Sequence, residues 1–304
     1  MTSSGPLIVT GANGILAQLV IKELLETHKV PPSKIIAVSR SVDKLADLKN
    51  KGVEVRAGDF TDANSMKSAF KGGQRILIIS TKDHENRRLH LETAIKEAAA
   101  AGVKHVVFTG VVTQPKNLTP FLTDLQELEG VLAKTQGITY SVIGFNLWME
   151  TMMEFLEASI VTGTFYTTSA AGKAALISRE DFARACAAAL ASNSTTSAKF
   201  EVTGPETIDH KTLAAEVSKA LGLQKTIELK EVSQEELVKY LTANKDFSWQ
   251  ISEEVARFQA EIDRARKDGN IATVGNGFHK LTGKQPEKFG AFIERSKANY
   301  APKK

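Results

Sequence analysis

Three small residues spaced three apart, Gly11, Gly14 and Ala17, follow a short apolar run near the start of the chain. Residues 7–10 predict a strand and the segment after Gly14 predicts an amphipathic helix, so these residues form the turn between them. Backbone N–H groups and the positive end of the helix dipole meet at such a turn and can bind a phosphate. Gly11 would allow the turn, Gly14 would let a pyrophosphate approach, and Ala17 would let the helix pack on the strand. We therefore expect a dinucleotide phosphate site, with an ordinary β–α turn as the alternative.

A basic residue ends the second predicted strand. Residues 35–39 are followed directly by Arg40, and no acidic side chain stands at this point. A site that prefers NAD would usually place Asp or Glu there, because a carboxylate accepts from both ribose hydroxyls. A guanidinium can instead bind a 2′-phosphate through two charged hydrogen bonds. Arg40 therefore predicts NADP(H) as the cofactor, the alternative being an ordinary surface arginine.

Polar residues follow the next three predicted strands, at the sheet edge where ligands bind in parallel sheets. Asp59 could meet the amino group of adenine and Phe60 its ring, although Asp59 could equally be a cap or an Asx-turn residue. Polar residues after the fourth and fifth strands could line the ribose and nicotinamide, with loop polarity as the alternative explanation: Ser80, Thr81, Lys82 and Thr109.

Familiar catalytic signatures are missing from these strand ends. A Tyr-x-x-x-Lys pair, in which the lysine lowers the pKa of a proton-donating tyrosine, occurs only as Tyr300 and Lys304, with Pro302 between them. His84 and His90 are six residues apart, so they cannot share a helix face as the histidines of H-E-x-x-H do. Cys186 is the only cysteine, and its helical surroundings predict a buried packing thiol. We assign no catalytic residue and no metal ligand from the sequence.

An alternating pattern of strands and helices must position these candidates. Six β/α units cover the first half of the chain, and the run 75–80 is almost wholly apolar, as in a central parallel strand. Repeated right-handed crossovers place helices on both faces of such a sheet. We predict an α/β fold with a doubly wound parallel sheet, the Rossmann fold, over residues 1–150. Residues 151–304 are expected to form a smaller C-terminal α/β substrate lobe, partly interleaved with the first.

Composition narrows the remaining classes of function. The 304 residues carry a formal net charge of +4, with Lys and Arg scattered and no basic stripe, so no nucleic-acid partner is predicted. The first residues do not resemble a signal peptide, and no window approaches the roughly 18 apolar residues of a membrane span. A single cysteine forms no intrachain disulfide, which fits a reducing compartment. We expect a cytoplasmic protein without membrane association, and the sequence leaves homodimer formation open.

Several motifs together resemble one family. They are T-G-A-N-G-x-L at the first turn, V-S-R at 38–40, G-D-F-T-D at 58–62, L-I-I-S-T at 77–81, A-A-x-A-G-V-K-H-V-V-F-T ending at 109, and I-S-R-E-D-F-A at 177–183. In order and spacing the chain resembles the NmrA-like atypical short-chain dehydrogenases, and most closely the NADPH-dependent quinone oxidoreductases of that group. The resemblance covers nearly the whole chain and implies an NADP(H) cofactor.

The resemblance also implies contacts with the cofactor at particular positions. They fall at the first turn, at the end of the second strand, after the fourth strand and in the loop 145–150, with a further position near the nicotinamide. The implied residues are Gly11, Ala12, Asn13, Gly14, Ile15, Leu16, Arg40, Ser80, Thr81, Lys82, Phe145, Asn146 and Lys173.

Two departures from the family pattern bear on the reaction. Relatives often carry a lysine on the helix after the fifth strand, where this chain has Glu129, and Arg-Pro or Arg-Asn after the sixth, where it has Gly144 and Phe145. Ketone reduction forms a strongly basic alkoxide that needs a positioned acid. A reduced quinone is a phenolate-like anion whose conjugate acid has a pKa of about 10, so water can protonate it. Trp148 and Phe145 could wall a pocket for such a ring, or they could be core residues.

Two functions of different classes follow from these observations. The first is an NADPH-dependent oxidoreductase that transfers a hydride from the nicotinamide to a small-molecule quinone. The alternative is a redox-sensing regulator that binds NADP(H) without turnover, as family members without catalytic residues do. A reductase of carbonyls or of other double bonds would require an acid that the sequence does not show.

Overall fold

The structure is a computed structural model that describes residues 5–81, 83, 85–112 and 120–301, with the backbone alone for 120–122. In chain order it begins with β1 (Leu7–Val9), α1 (Ile15–Glu26), β2 (Ile35–Ser39), α2 (Ala46–Asn50), β3 (Glu54–Ala57), α3 (Ala63–Phe70), β4 (Arg75–Ile78), α4 (Arg87–Ala100), β5 (His105–Val111), α5 (Pro120–Lys134), β6 (Thr139–Phe145) and β7 (Leu147–Trp148). It continues with α6 (Met149–Thr162), β8 (Thr164–Thr167), β9 (Lys173–Ala174), β10 (Leu176–Ile177), α7 (Arg179–Ala191), β11 (Ala198–Glu201), β12 (Ile208–Asp209), α8 (His210–Ala220), β13 (Glu228–Glu231), α9 (Gln234–Ala243), α10 (Glu253–Lys267), α11 (Gly277–Thr282) and α12 (Phe289–Ser296). Short 3-10 turns lie at Pro32–Lys34, Val42–Leu45 and Lys297–Asn299.

A seven-stranded sheet forms the centre of the molecule, in the order β11-β6-β5-β4-β1-β2-β3. All six of its pairings are parallel. The connection from β3 to β4 crosses to the other side of β1, so the strand order reverses between β1 and β4. Ligands of doubly wound sheets bind outside the carboxyl ends of the strands at such a switch point. The prediction of a doubly wound parallel sheet is confirmed.

Helices cover both faces of the sheet, which accounts for the apolar character of its strands. The side chains of β1, β2, β4 and β5 are all buried, as expected of strands with a helix layer on either side. One face packs against α1, α7 and α11, and the other packs against α3, α4 and α5. The carboxyl edge of the sheet is thereby left as the place where loops can form a site.

Three elements from beyond residue 150, β11, α7 and α11, belong to the sheet and its helix layer rather than to the lobe. β11 pairs with β6 as the outermost strand, and α7 packs against α1 in the same core. Arg75, at the amino end of β4, binds the last turn of α7. Its guanidinium donates to the carbonyls of Leu190 at 3.0 Å, Ala189 at 3.0 Å and Ser194 at 2.8 Å. The sheet core is thus built from both halves of the chain.

The remaining C-terminal residues form a lobe of helices with three two-stranded sheets, β10-β7, β12-β9 and β13-β8. Its two apolar clusters centre on α6 with α8 and α12, and on α9 with α10. Leu147 and Trp148 pair with Leu176 and Ile177, and α6 begins directly after them at Met149. This short strand pair joins the end of β6 to the lobe.

Candidate functional site

The turn after β1 has the geometry of a phosphate cradle. Gly11 adopts a left-handed conformation with φ of 62°, which strains any residue that carries a Cβ atom. The N–H of Gly14 donates to the Gly11 carbonyl at 2.8 Å, and the N–H of Ala12 donates to the Val38 carbonyl of β2 at 2.9 Å. The Gln18 amide also donates to the Ala12 carbonyl. The turn is therefore fixed from three sides while Gly11, Asn13 and Gly14 remain exposed.

Helix α1 begins directly behind this turn without a cap. Its N-cap residue is Gly14, no side chain hydrogen-bonds to its first N–H groups, and its first turn holds no acidic residue. The helices α3, α7, α8, α9 and α10 each receive a side-chain cap from Asp62, Ser178, Asp209, Ser233 or Ser252, whereas the N-cap residues of α2, α4, α6, α11 and α12 make no such hydrogen bond. Uncapped N–H groups and the positive end of a helix dipole can bind an anion, and in α1 they lie at the carboxyl edge of β1.

Arg40 and Asp59 lie at the ends of the neighbouring strands β2 and β3. Arg40 is exposed. The carboxylate of Asp59 accepts from the N–H of Thr61 at 3.0 Å, which is the Asx-turn arrangement. This bond, supported by the nearby Arg40 charge, lowers the pKa of Asp59 below its ordinary value. Phe60 packs partly against the core on the α3 side of the sheet.

Buried hydroxyls arrange the loop after β4. The Thr10 hydroxyl donates to the Leu77 carbonyl at 2.9 Å and accepts from the N–H of Ile79 at 3.0 Å. The hydroxyl of Thr109, which is 1% exposed, accepts from the N–H of Ser80 at 2.9 Å. Ser80 and Thr81 are partly exposed at this edge, whereas Lys82 lies outside the described residues. Thr109 therefore acts on the loop through Ser80, because its own side chain is buried.

An aromatic cluster follows β6. The rings of Phe145 and Trp148 stack with centroids 4.1 Å apart, and Phe182 of α7 packs against both with centroids at 5.0 Å. Phe145 and Trp148 are half-buried, whereas Phe182 is fully buried. The contacts with Phe182 show that the pair packs against the core, and the role of its exposed ring surface as a pocket wall stays a prediction.

Asn146 lies between β6 and β7, and Lys173 lies on β9 of the lobe. Asn146 is buried, and its amide group donates to the carbonyls of Ile271 and Thr273, both at 3.2 Å. Lys173 is exposed on β9 and stands opposite Asp209 of β12. The sequence alone does not reveal the hydrogen bonds between Asn146 and residues 271–273, because they join positions more than 120 apart.

The position where relatives often carry a lysine is engaged in an ion pair. The carboxylate of Glu129 on α5 accepts from the Lys199 ammonium of β11 at 2.6 Å, and each side chain is about one-fifth exposed. Burial raises the pKa of Glu129. The ammonium of Lys199 is therefore engaged with a carboxylate and is not free to donate a proton to a substrate.

A second polar cluster lies inside the lobe, and its residue types suggest a nucleophilic triad. The Thr167 hydroxyl, however, donates to the Asp263 carboxylate at 2.6 Å, and His210 uses Nδ1 toward Thr167 and the Ser169 carbonyl at 3.0 Å. The side chains of all three are 0% exposed. Burial raises the pKa of Asp263 to about 6 and lowers that of His210. A triad needs a hydroxyl that donates to histidine and reaches substrate, so this cluster is structural.

Other candidate features lie apart from the carboxyl edge. Cys186 is fully buried and burial raises its pKa, which confirms a packing thiol. Within the described ranges, no group of three or more His, Cys, Asp or Glu residues is placed to hold a metal ion, and no helix is long and apolar enough to cross a membrane. Two open depressions, of about 600 and 430 Å³, lie in the lobe beside α8 and between α9 and α10.

Comparison with known proteins places this arrangement among reductases. The model of the NmrA-like family matches residues 3–293. Quinone oxidoreductase 2 of Escherichia coli is 30% identical over 218 residues, which span 72% of this chain and 75% of that protein. Its structure with NADPH superposes with a TM-score of 0.84 at 25% identity, covering 95% of this chain and 99% of that one. Triphenylmethane reductase of Citrobacter sp. in complex with NADP(H) gives 0.85 at 27% identity, with the same coverage.

Proposed function

The chain belongs to the NmrA-like family, and on that premise we propose that it is an NADPH-dependent reductase of quinones. The observation that carries the proposal is the uncapped start of α1, joined through the Ala12–Val38 hydrogen bond to the strand that ends at Arg40. This arrangement offers one anion site to a pyrophosphate and a second to a 2′-phosphate. Structural relatives named for quinone and triphenylmethane reduction contain NADPH or NADP(H).

The residues present fit the dinucleotide. Backbone groups of Gly11 to Leu16 would hold the pyrophosphate, since Gly14 carries no side chain that could obstruct its approach. Arg40 would bind the 2′-phosphate, and Phe60 would flank adenine, with Asp59 kept charged by its turn. When bound, NADPH supplies the hydride.

The nicotinamide end would lie between the loop after β4 and the seam with the lobe. Ser80 and Thr81 would contact the ribose side, with Thr109 orienting Ser80 through its buried hydroxyl. Phe145, Asn146 and Lys173 would enclose the nicotinamide side. Lys82, which the family resemblance also implies, belongs to this set as a sequence prediction.

A quinone fits both the aromatic surface of the site and the absence of an assigned proton donor. Phe145 and Trp148 present half-buried ring surface, against which a planar acceptor can be held beside the cofactor. Where relatives often carry a lysine, this chain has Glu129, whose carboxylate is paired with the ammonium of Lys199. That position therefore supplies no free ammonium as a proton donor. A reduced quinone needs no strong acid, because its conjugate acid has a pKa of about 10 and water protonates it. The chain's residues therefore need to orient the two rings and exclude side reactions.

Steady-state oxidation of NADPH with menadione and para-benzoquinone tests this proposal. We expect turnover that requires both the quinone and NADPH, with little activity on simple ketones. Gly14→Val serves as the matched control, since it removes the cofactor site but leaves the acceptor residues in place. Tight NADPH binding without turnover on any quinone would contradict the proposal and favour the redox-sensing regulator.

A further inference from the structure

Residues 271–277, here called the strap, connect the core of the lobe to the core of the sheet. Ile271 is buried in the lobe among α6, α8 and α12. Phe278, which follows the strap, is buried in the sheet core beside α7. The strap therefore crosses the seam between the two cores.

Two buried polar side chains fix the strap to the carboxyl edge of the sheet. Asn146, directly after β6, donates to the carbonyls of Ile271 and Thr273 at 3.2 Å. Thr203, just beyond β11 and 0% exposed, accepts from the N–H of Gly275 at 2.9 Å. Gly275 also packs so closely on β11 that an added Cβ atom would lie 2.2 Å from the Glu201 carbonyl oxygen. The backbone is thus held on both sides of one residue, Val274.

Val274 presents an apolar side chain to solvent from this fixed position, with 48% of its surface exposed. Four large apolar residues are strongly exposed in the described part of the chain, and three of them border the carboxyl edge. Ile15 begins α1, Leu89 lies in the first turn of α4, and Val274 lies on the strap. The fourth, Val161, lies at the far end of α6. Since the strap cannot fold Val274 inward, its exposure persists until a ligand covers it.

The strap also lies beside the aromatic pair, because Asn146 immediately follows Phe145. Phe278, which follows the strap, also belongs to the apolar cluster that contains Phe145 and Trp148. If an acceptor lies against Phe145 and Trp148 and extends to the strap, Val274 adds apolar surface that suits a fused or alkylated ring better than a small polar one.

We propose that Val274 is a specificity-determining residue that contacts the apolar part of the acceptor. The proposal rests on the function proposed above and adds the contact that selects among acceptors. Larger apolar quinones gain from burying Val274, whereas a small quinone does not reach it.

Val274→Ser tests the proposal, because serine removes apolar surface without adding charge near the cofactor. We expect the KM for menadione to rise about fivefold, while the KM for para-benzoquinone and the NADPH dissociation constant change less than about twofold. Val161→Ser, the same substitution at a valine of the lobe that is more exposed than Val274 (68% against 48%), should leave all three values unchanged.

Two further measurements separate the inference from its premise. Thr203→Val removes the acceptor for the Gly275 N–H and should reduce the preference for menadione without changing NADPH affinity. Menadione titrations followed by tryptophan fluorescence report acceptor binding independently of turnover. If Val274→Ser matches Val161→Ser in both KM and titration, Val274 is not an acceptor contact. If the wild type binds menadione through Val274 but does not turn over, the proposed function fails and the contact stands.

Discussion

Polar groups are buried and hydrogen-bonded at the amino edge of the central sheet, whereas they are left open at its carboxyl edge. At the amino edge, Arg75 is buried and its guanidinium binds three carbonyls at the end of α7. His105 beside it is 1% exposed, with Nδ1 2.8 Å from the Thr139 hydroxyl and Nε2 2.9 Å from that of Ser141. At the carboxyl edge, α1 begins uncapped and Arg40 is exposed.

This contrast separates stability from binding. Buried polar groups that are fully paired stabilise a fold, and removing one partner leaves the other unpaired at high cost. Donors left open at a helix start contribute little to folding and are available to an anion. Substitutions at the amino edge should therefore change the free energy of unfolding, and substitutions at the carboxyl edge should change ligand affinity.

The largest expected effect is at the amino edge. Arg75→Met leaves the carbonyls of Ala189, Leu190 and Ser194 without their charged donor, so the free energy of unfolding should fall by about 3 kcal/mol. Urea denaturation measures this value. Arg257→Met, in an exposed pair with Glu253, is the control and should cost no more than about 1 kcal/mol. If both variants lose the same free energy of unfolding, the hydrogen bonds of Arg75 do not stabilise the amino edge.

Gly14→Val should give the opposite pattern at the carboxyl edge. A Cβ atom at this position lies 3.2 Å from the Gly11 carbonyl oxygen, and the branched side chain would occupy the approach of the pyrophosphate. The NADPH dissociation constant should rise at least about 100-fold, with a much smaller change in unfolding free energy. Fluorescence titration on folded protein measures the affinity. Unchanged affinity would exclude this turn from the site.

Arg40 should control the choice of cofactor. Charge-assisted hydrogen bonds to a 2′-phosphate should make NADPH bind about 10- to 100-fold more tightly than NADH. Arg40→Asp should reverse this preference, since a carboxylate repels the phosphate and accepts from ribose hydroxyls. The two dissociation constants are compared for the wild type, Arg40→Asp and the control Lys44→Ala. If the preference is lost in Lys44→Ala but kept in Arg40→Asp, Lys44 binds the phosphate.

The smallest effect concerns pH and the amino edge. Burial lowers the pKa of His105 to about 3, so in acid the unfolded chain binds a proton that the folded chain excludes. The stability contributed by neutral His105 is therefore lost as pH falls below its unfolded pKa of about 6.5, by about 1 kcal/mol between pH 7 and 5.5. His105→Asn should lose that slope in urea denaturation, relative to wild type. Asp263 acts in the opposite sense in both proteins, so the difference isolates His105.

Local patterns predict the inner sheet and the phosphate turn well. The runs that become β2 and β4 are apolar because both of their faces are covered, and Gly11 and Gly14 mark a turn that few other residues can form. The place of β11 is not visible in the same way, because all four of its residues are only partly buried and its partner lies almost 60 positions earlier. Its apolar pattern is weak, and its pairing with β6 is determined by tertiary contacts.

Site residues divide along the same line. Arg40 and the glycines are predicted from their own residue type and position, so sequence reasoning reaches them. Thr109, Asn146 and Thr203 act through partners that are 29, 125 and 72 residues away. Each is a common polar residue whose neighbours in sequence are apolar or small, and its partner becomes apparent only when the chain is folded.

The hydrogen bonds between Arg75 and the end of α7 can form only late in the synthesis of the chain. The Arg75 guanidinium finds its acceptors only after residues 189–194 have been made, and the sheet gains its outer strand only with residues 198–201. At about 5–20 residues per second, translation from residue 75 to residue 201 takes roughly 6 to 25 seconds. Throughout that interval the Arg75 guanidinium lacks its carbonyl acceptors and β6 lacks the strand that pairs with its outer edge. The first 150 residues therefore cannot complete the seven-stranded sheet, and a gene cut at that point would encode a first fragment without β11 and without the acceptors of Arg75.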